Sequence, residues 1–63
     1  MPLTPHQQLL SLLSRVDQLV TEADAQMANA PDADTWVMAE DIREMLVEMR
    51  ARMESWQERI AER

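Results

Sequence analysis

The 63-residue chain has no Cys, no Gly, no Tyr and no Phe; it has a single His, and all six of its basic residues are Arg. The missing Cys rules out disulfides and thiolate chemistry, and one imidazole cannot build a His-based metal site. Two of the usual supports for so small a fold are therefore gone, and self-association is the one that remains. The lack of Gly means that nothing weakens a helix from within, and the three Pro, at 2, 5 and 31, leave long uninterrupted stretches between them.

Long apolar runs are also missing. No window approaches the roughly 18 consecutive apolar residues of a membrane span, and no basic segment followed by an apolar core and cleavage site opens the chain. The expectation is a cytoplasmic protein with no membrane partner, and the absence of Cys fits a reducing compartment. Twelve acidic residues against six Arg give a net charge of −6. That sign disfavours direct binding to nucleic acid and favours a basic partner surface, although a negative charge also serves solubility alone.

What the chain does have is apolar residues at helical spacing, twice. Leu9, Leu12, Leu13, Val16, Leu19, Val20, Ala23 and Met27 recur at intervals of three and four, and so do Met38, Ile42, Met45, Leu46, Met49, Met53, Trp56 and Ile60. The spacing predicts two amphipathic helices, one over 5–28 and one over 33–61, in a single domain. Thr4 is placed to cap the first, with Pro5 at the first helical position and Gln7 completing a capping box. Pro31 ends it, and Asn29 is suited to a left-handed closing turn. Asp32, Asp34 and Thr35 all qualify as cap of the second helix. A connection this short makes the helices antiparallel neighbours.

The fold class expected is therefore all-α, an antiparallel helical hairpin. A chain of this length removes only about 60% of its unfolded surface from water, and two helices make a seam rather than a core. Two hairpins pairing as a dimeric four-helix bundle solve that problem. The positions placed inside are Leu9, Leu12, Leu13, Val16, Leu19, Val20, Met38, Ile42, Met45, Leu46, Met49, Met53, Trp56 and Ile60, as a, d and e of a heptad. The second helix is the longer, so its last turn, with Trp56 and Ile60, overhangs its own partner. Arg52 and Arg59 share the stripe and run their stems along it, and Glu48 precedes Arg52 by four residues, the spacing of a local ion pair.

Trp36, Val37 and Val47 lie off the stripe. Together with Glu40, Glu44 and Glu48 they form the candidate partner-binding set. Trp36 serves either as an anchor for a partner pocket or as a lid over the turn. Met38, Met45, Met49 and Met53 on one helix face read as core filler or as an adaptable groove.

Catalytic chemistry is not expected. His6 lies in the first helical turn with no nucleophile beside it. Glu40, Asp41, Glu44 and Glu48 have a spacing that metal-dependent all-α hydrolases and di-iron bundles use, but the chain has no Glu-x-x-His and only Asp17 and Glu22 near the same level of the first helix. No cofactor follows from these residues. The acidic ridge continues through Glu54, Glu58 and Glu62, with Arg43 and Arg50 read as interruptions. The function this points to is a non-catalytic homodimeric regulator or inhibitor of another protein, of the compact kind that phage and mobile elements encode. The alternatives are an acidic nucleic-acid mimic and a fragment of a metal-dependent all-α hydrolase.

Overall fold

The computed structural model describes residues 2–61, and Glu62 of the acidic ridge lies outside the described residues. Two helices, α1 (Pro5–Ala28) and α2 (Ala33–Ala61), pack against each other as an antiparallel hairpin with extents of 47 × 23 × 12 Å. A thickness of 12 Å is a single helix layer.

The start of α1 is closed on both sides. The Gln7 backbone N–H donates to Thr4 Oγ1 at 3.1 Å, and the Thr4 N–H donates to Gln7 Oε1 at 3.1 Å. This reciprocal pair satisfies two donors that no helical carbonyl can reach. At the other end of α1 the expectation of a left-handed Asn29 is corrected: its φ is −110°, and no described residue has positive φ. Asn29 instead closes the helix with its side chain, Nδ2 donating to the Ala25 carbonyl at 2.8 Å beside its own backbone N–H at 3.1 Å. Of the three candidate caps for α2, Asp32 takes the role. Its Oδ1 accepts the Thr35 N–H at 2.7 Å, and hydrogen bonds from Thr35 hold its carboxyl below the usual Asp value.

The seam is narrow. Among the described residues only Val16, Ala23 and Ala39 are buried, with Ala39 wholly so. On α1 the half-buried Leu9, Leu13, Val20 and Met27 extend the line of Val16 and Ala23. On α2 the line runs through Ala39, Leu46, Met53 and Ile60, with Arg43 and Gln57 half-buried between them. Within one hairpin the three heptad positions therefore divide. The e positions of α2 face α1, while its a and d positions, Met38, Ile42, Met45, Met49 and Trp56, stay exposed.

Candidate interaction surface

The two broad sides of this one-layer hairpin differ in chemistry. Each residue of a helix turns about 100°, so on α1 Leu12 and Leu19 sit about 70° round from the seam. On α2, Ile42, Met49, Met38, Trp56 and Met45 are displaced by about 60–120° in the same rotational sense. Because the helices are antiparallel, both displaced stripes come out on one side of the hairpin. All seven residues are exposed, Met49 by 51% and Trp56 by 47%. Arg59 closes the end of this side with its guanidinium 5.0 Å from the Trp56 ring centroid.

The opposite side is tied together by charge. Arg43 Nε pairs with Asp24 Oδ1, and Arg50 Nη1 with Asp17 Oδ1 at 2.9 Å. Arg50 also reaches Glu54 on its own helix at 3.2 Å. Arg43 and Arg50 thus turn toward α1, and Arg50 also neutralises Glu54 of the acidic ridge. Sequence reading missed these bridges, although a signal for them exists: Arg43 and Arg50 are seven apart, as are Asp17 and Asp24, in the order an antiparallel pair requires. The expected Glu48–Arg52 pair is not among the ion pairs of the described residues. All three pairs are half-exposed, so each contributes about 0–1 kcal/mol and serves register more than stability.

The two bridges fix the level of everything else. Seven residues toward the start of α1 correspond to seven toward the end of α2, so Leu19 is level with Glu48 and Arg15 with Arg52. On the outer back of α2 stand Val37, Asp41, Glu44 and Glu48, all exposed, while the exposed Val47 and half-buried Glu40 lie between this back and the ion-paired side. With Arg43 and Arg50 turned to the seam, no cation lies within this stretch. Trp36 is exposed at the start of α2 on the ion-paired side of the hairpin, remote from the apolar stripe.

The candidate partner residues form one arc of α2: Trp36, a turn before Glu40, and Val47 lie toward the ion-paired side, and Glu44, Val37 and Glu48 carry the arc over the back. The candidate core residues divide: Leu9, Leu13, Val16, Val20, Leu46, Met53 and Ile60 make the seam, and Leu12, Leu19, Met38, Ile42, Met45, Met49 and Trp56 make the free apolar side. His6 is exposed in the first turn of α1. Among the described residues no three His, Asp or Glu side chains converge as metal ligands, and no helix is long and apolar enough to cross a membrane. No family model, curated protein or solved structure matches the chain.

Proposed function

We propose that the chain is a non-catalytic interaction module that acts as a homodimer. Two hairpins close a four-helix bundle across their apolar sides and present acidic outer flanks to a partner protein whose activity they regulate or inhibit. The observation that carries this reading is the division of one thin hairpin into an ion-paired side and an apolar side. Seven large apolar side chains on one side and none of the ion pairs is far from the scattered apolar residues that soluble surfaces normally show.

Area points the same way. The lone hairpin exposes 5162 Å², where a compact folded chain of 7.3 kDa exposes about 4,200 Å². The excess, about 1,000 Å², is close to the roughly 800 Å² that each partner contributes to a standard protein interface. The radius of gyration is 14.6 Å, against about 10.6 Å for a compact chain of this length. A second copy stacked on the apolar side supplies the missing layer.

Sedimentation equilibrium tests the proposal. The wild-type chain is expected at twice the single-chain mass at micromolar concentration. Ile42→Glu or Met49→Glu, both on the free side, is expected to give the single-chain mass and to lose helicity along with it. A wild-type chain that is helical and single at that concentration overturns the reading.

One observation favours a narrower version of the partner interaction. With Arg43 and Arg50 withdrawn to the seam, Glu40, Asp41, Glu44 and Glu48 make an unbroken line of carboxylates, the arrangement by which an acidic helix mimics a nucleic-acid backbone toward a DNA- or RNA-binding protein. Mimicry predicts that affinity for a deca-arginine peptide falls steeply as salt rises from low to physiological strength, and that the triple reversal Glu40→Lys, Glu44→Lys, Glu48→Lys abolishes it. Affinity insensitive to both removes the acidic flank from the mechanism.

A further inference from the structure

We infer that two copies pair antiparallel with like helices together, α1 on α1 and α2 on α2, with their turns at opposite ends of the bundle. The inference rests on the homodimer proposed above and assigns its symmetry. Two arrangements bring the apolar sides face to face. A two-fold axis along the hairpin puts both turns at one end and stacks α1 on α2 of the second copy. A two-fold axis across the hairpin puts the turns at opposite ends and stacks each helix on its own counterpart.

The charges at the rims of the apolar side distinguish the two. Along the outer rim of α1 stand Arg15 and Glu22, one heptad apart and both exposed. Along the outer rim of α2 the sign changes once, from acidic (Asp34, Asp41, Glu48) to basic (Arg52, Arg59), all exposed. Flanking charges of this kind select helix orientation in helical bundles.

Consider first the arrangement with both turns together. The register set by the Asp17–Arg50 and Asp24–Arg43 bridges makes Arg15 level with Arg52 and Glu22 level with Met45, between Asp41 and Glu48. Stacking α1 on α2 of the second copy then sets cation against cation and carboxylate among carboxylates along the same rim.

The antiparallel arrangement reverses the contacts of Arg15 and Glu22. Greatest overlap puts the axis through the middle of the hairpin, at the level of Leu19 and Glu48. Arg15 then lies opposite Glu22 of the second copy, and Glu22 opposite its Arg15. On α2, Arg52 falls between Asp41 and Glu48 of the second copy, and Arg59 between its Asp34 and Asp41. The apolar residues remain matched, since Leu19 and Met49 lie at the axis and meet their own counterparts. Glu48, at the axis, meets its own counterpart and is the one like-charge contact of this arrangement; the other rim charges that clash in one arrangement are complementary in the other.

The chain has no Cys, so one introduced thiol gives one spin label per copy. With a label at the exposed Ala33 of the full chain, double electron–electron resonance should read a distance of about 45 Å, twice the axial span from Ala33 to the axis at 1.5 Å per residue. A distance near 20 Å overturns the pairing and leaves the homodimer standing. Absence of dipolar coupling overturns the homodimer as well.

Charge exchange provides a second readout that does not depend on the label. Arg15→Glu is expected to weaken dimerisation about tenfold, since it replaces two attractive contacts with two repulsive ones. Arg15→Glu combined with Glu22→Arg is expected to restore it, because the exchanged charges meet only across the axis and not within one helix. Tightening by Arg15→Glu alone is the signature of the arrangement with both turns together and overturns the inference.

Discussion

The two helices of the hairpin meet the same seam on unequal terms. The line that α1 presents is wholly apolar, Leu9, Leu13, Val16, Val20, Ala23 and Met27, whereas the line from α2 alternates apolar residues with Arg43, Arg50 and Gln57. Most of the apolar surface of α2 is turned away from α1, and α1 keeps only Leu12 and Leu19 on that free side. The comparison teaches that an amphipathic helix does not give its whole stripe to its nearest neighbour in sequence. Where a chain offers only one neighbouring helix, a stripe wider than one contact must divide, and the polar residues that bridge across decide which half goes where.

The strongest way to break the contrast is at Val16, on the wholly apolar line. Val16→Asp places an uncompensated charge at one of three buried positions. It is expected to cost about 3 kcal/mol or more and to abolish the helical circular dichroism signal at every protein concentration. Raising concentration rescues a defect confined to the free side but not one in the seam, so the concentration series separates the two halves of the stripe.

Much of the fold was legible in the sequence, and the reasons are local. Thr4, Pro5 and Gln7 specify the start of α1 with side chains three residues apart, and Pro31 enforces a break wherever the rest of the chain lies. The division of each stripe was not legible from periodicity. A stripe of a, d and e positions spans more than 100° of a helix, and a single neighbour occupies about half of that. The rotation of α2 that turns Leu46 inward and leaves Met45 and Met49 outside is the one that brings Arg43 and Arg50 to two carboxylates on the other helix, a long-range relation. Asn29 shows the opposite lesson: its tolerance of the left-handed region is real, but its side chain reached a free carbonyl first. At the surface, the spacing of Glu40, Glu44 and Glu48 was readable, whereas the separation of Trp36 from the apolar side depends on the seam direction and so on those same bridges.

Trp36 sharpens the comparison at the next level of effect. It is exposed and stands apart from both seam and free stripe. Trp36→Ala is expected to leave the thermal midpoint and the oligomeric mass close to wild type; a large loss of helicity would instead identify the ring as a lid over the turn.

A smaller effect is expected from the register bridges. In a double-mutant cycle of Arg50→Ala with Asp17→Ala, read by urea denaturation, the coupling energy should fall below about 1 kcal/mol, as befits a half-exposed pair. A much larger coupling would mean that the polar line of α2 holds the hairpin together rather than orienting it.

The smallest effect concerns the start of α2. Because hydrogen bonds from Thr35 lower the Asp32 carboxyl from its usual value of 3.8, the ionised cap stabilises the helix above that value, and its contribution is lost as pH falls through the lowered one. The Thr35 amide proton shift, followed by nuclear magnetic resonance, should titrate in acid with a midpoint below 3.8. In Asp32→Asn, which keeps the cap but cannot titrate, it should stay flat.

A slab 12 Å deep has a further consequence. In such a plank only the helical hydrogen bonds beside the narrow Val16, Ala23 and Ala39 seam have buried neighbours to resist opening in the lone chain. Deuterium uptake should therefore be rapid along most of both helices in dilute solution. Protection that rises with protein concentration comes from whatever lies against the apolar side, and so measures how often that side is covered.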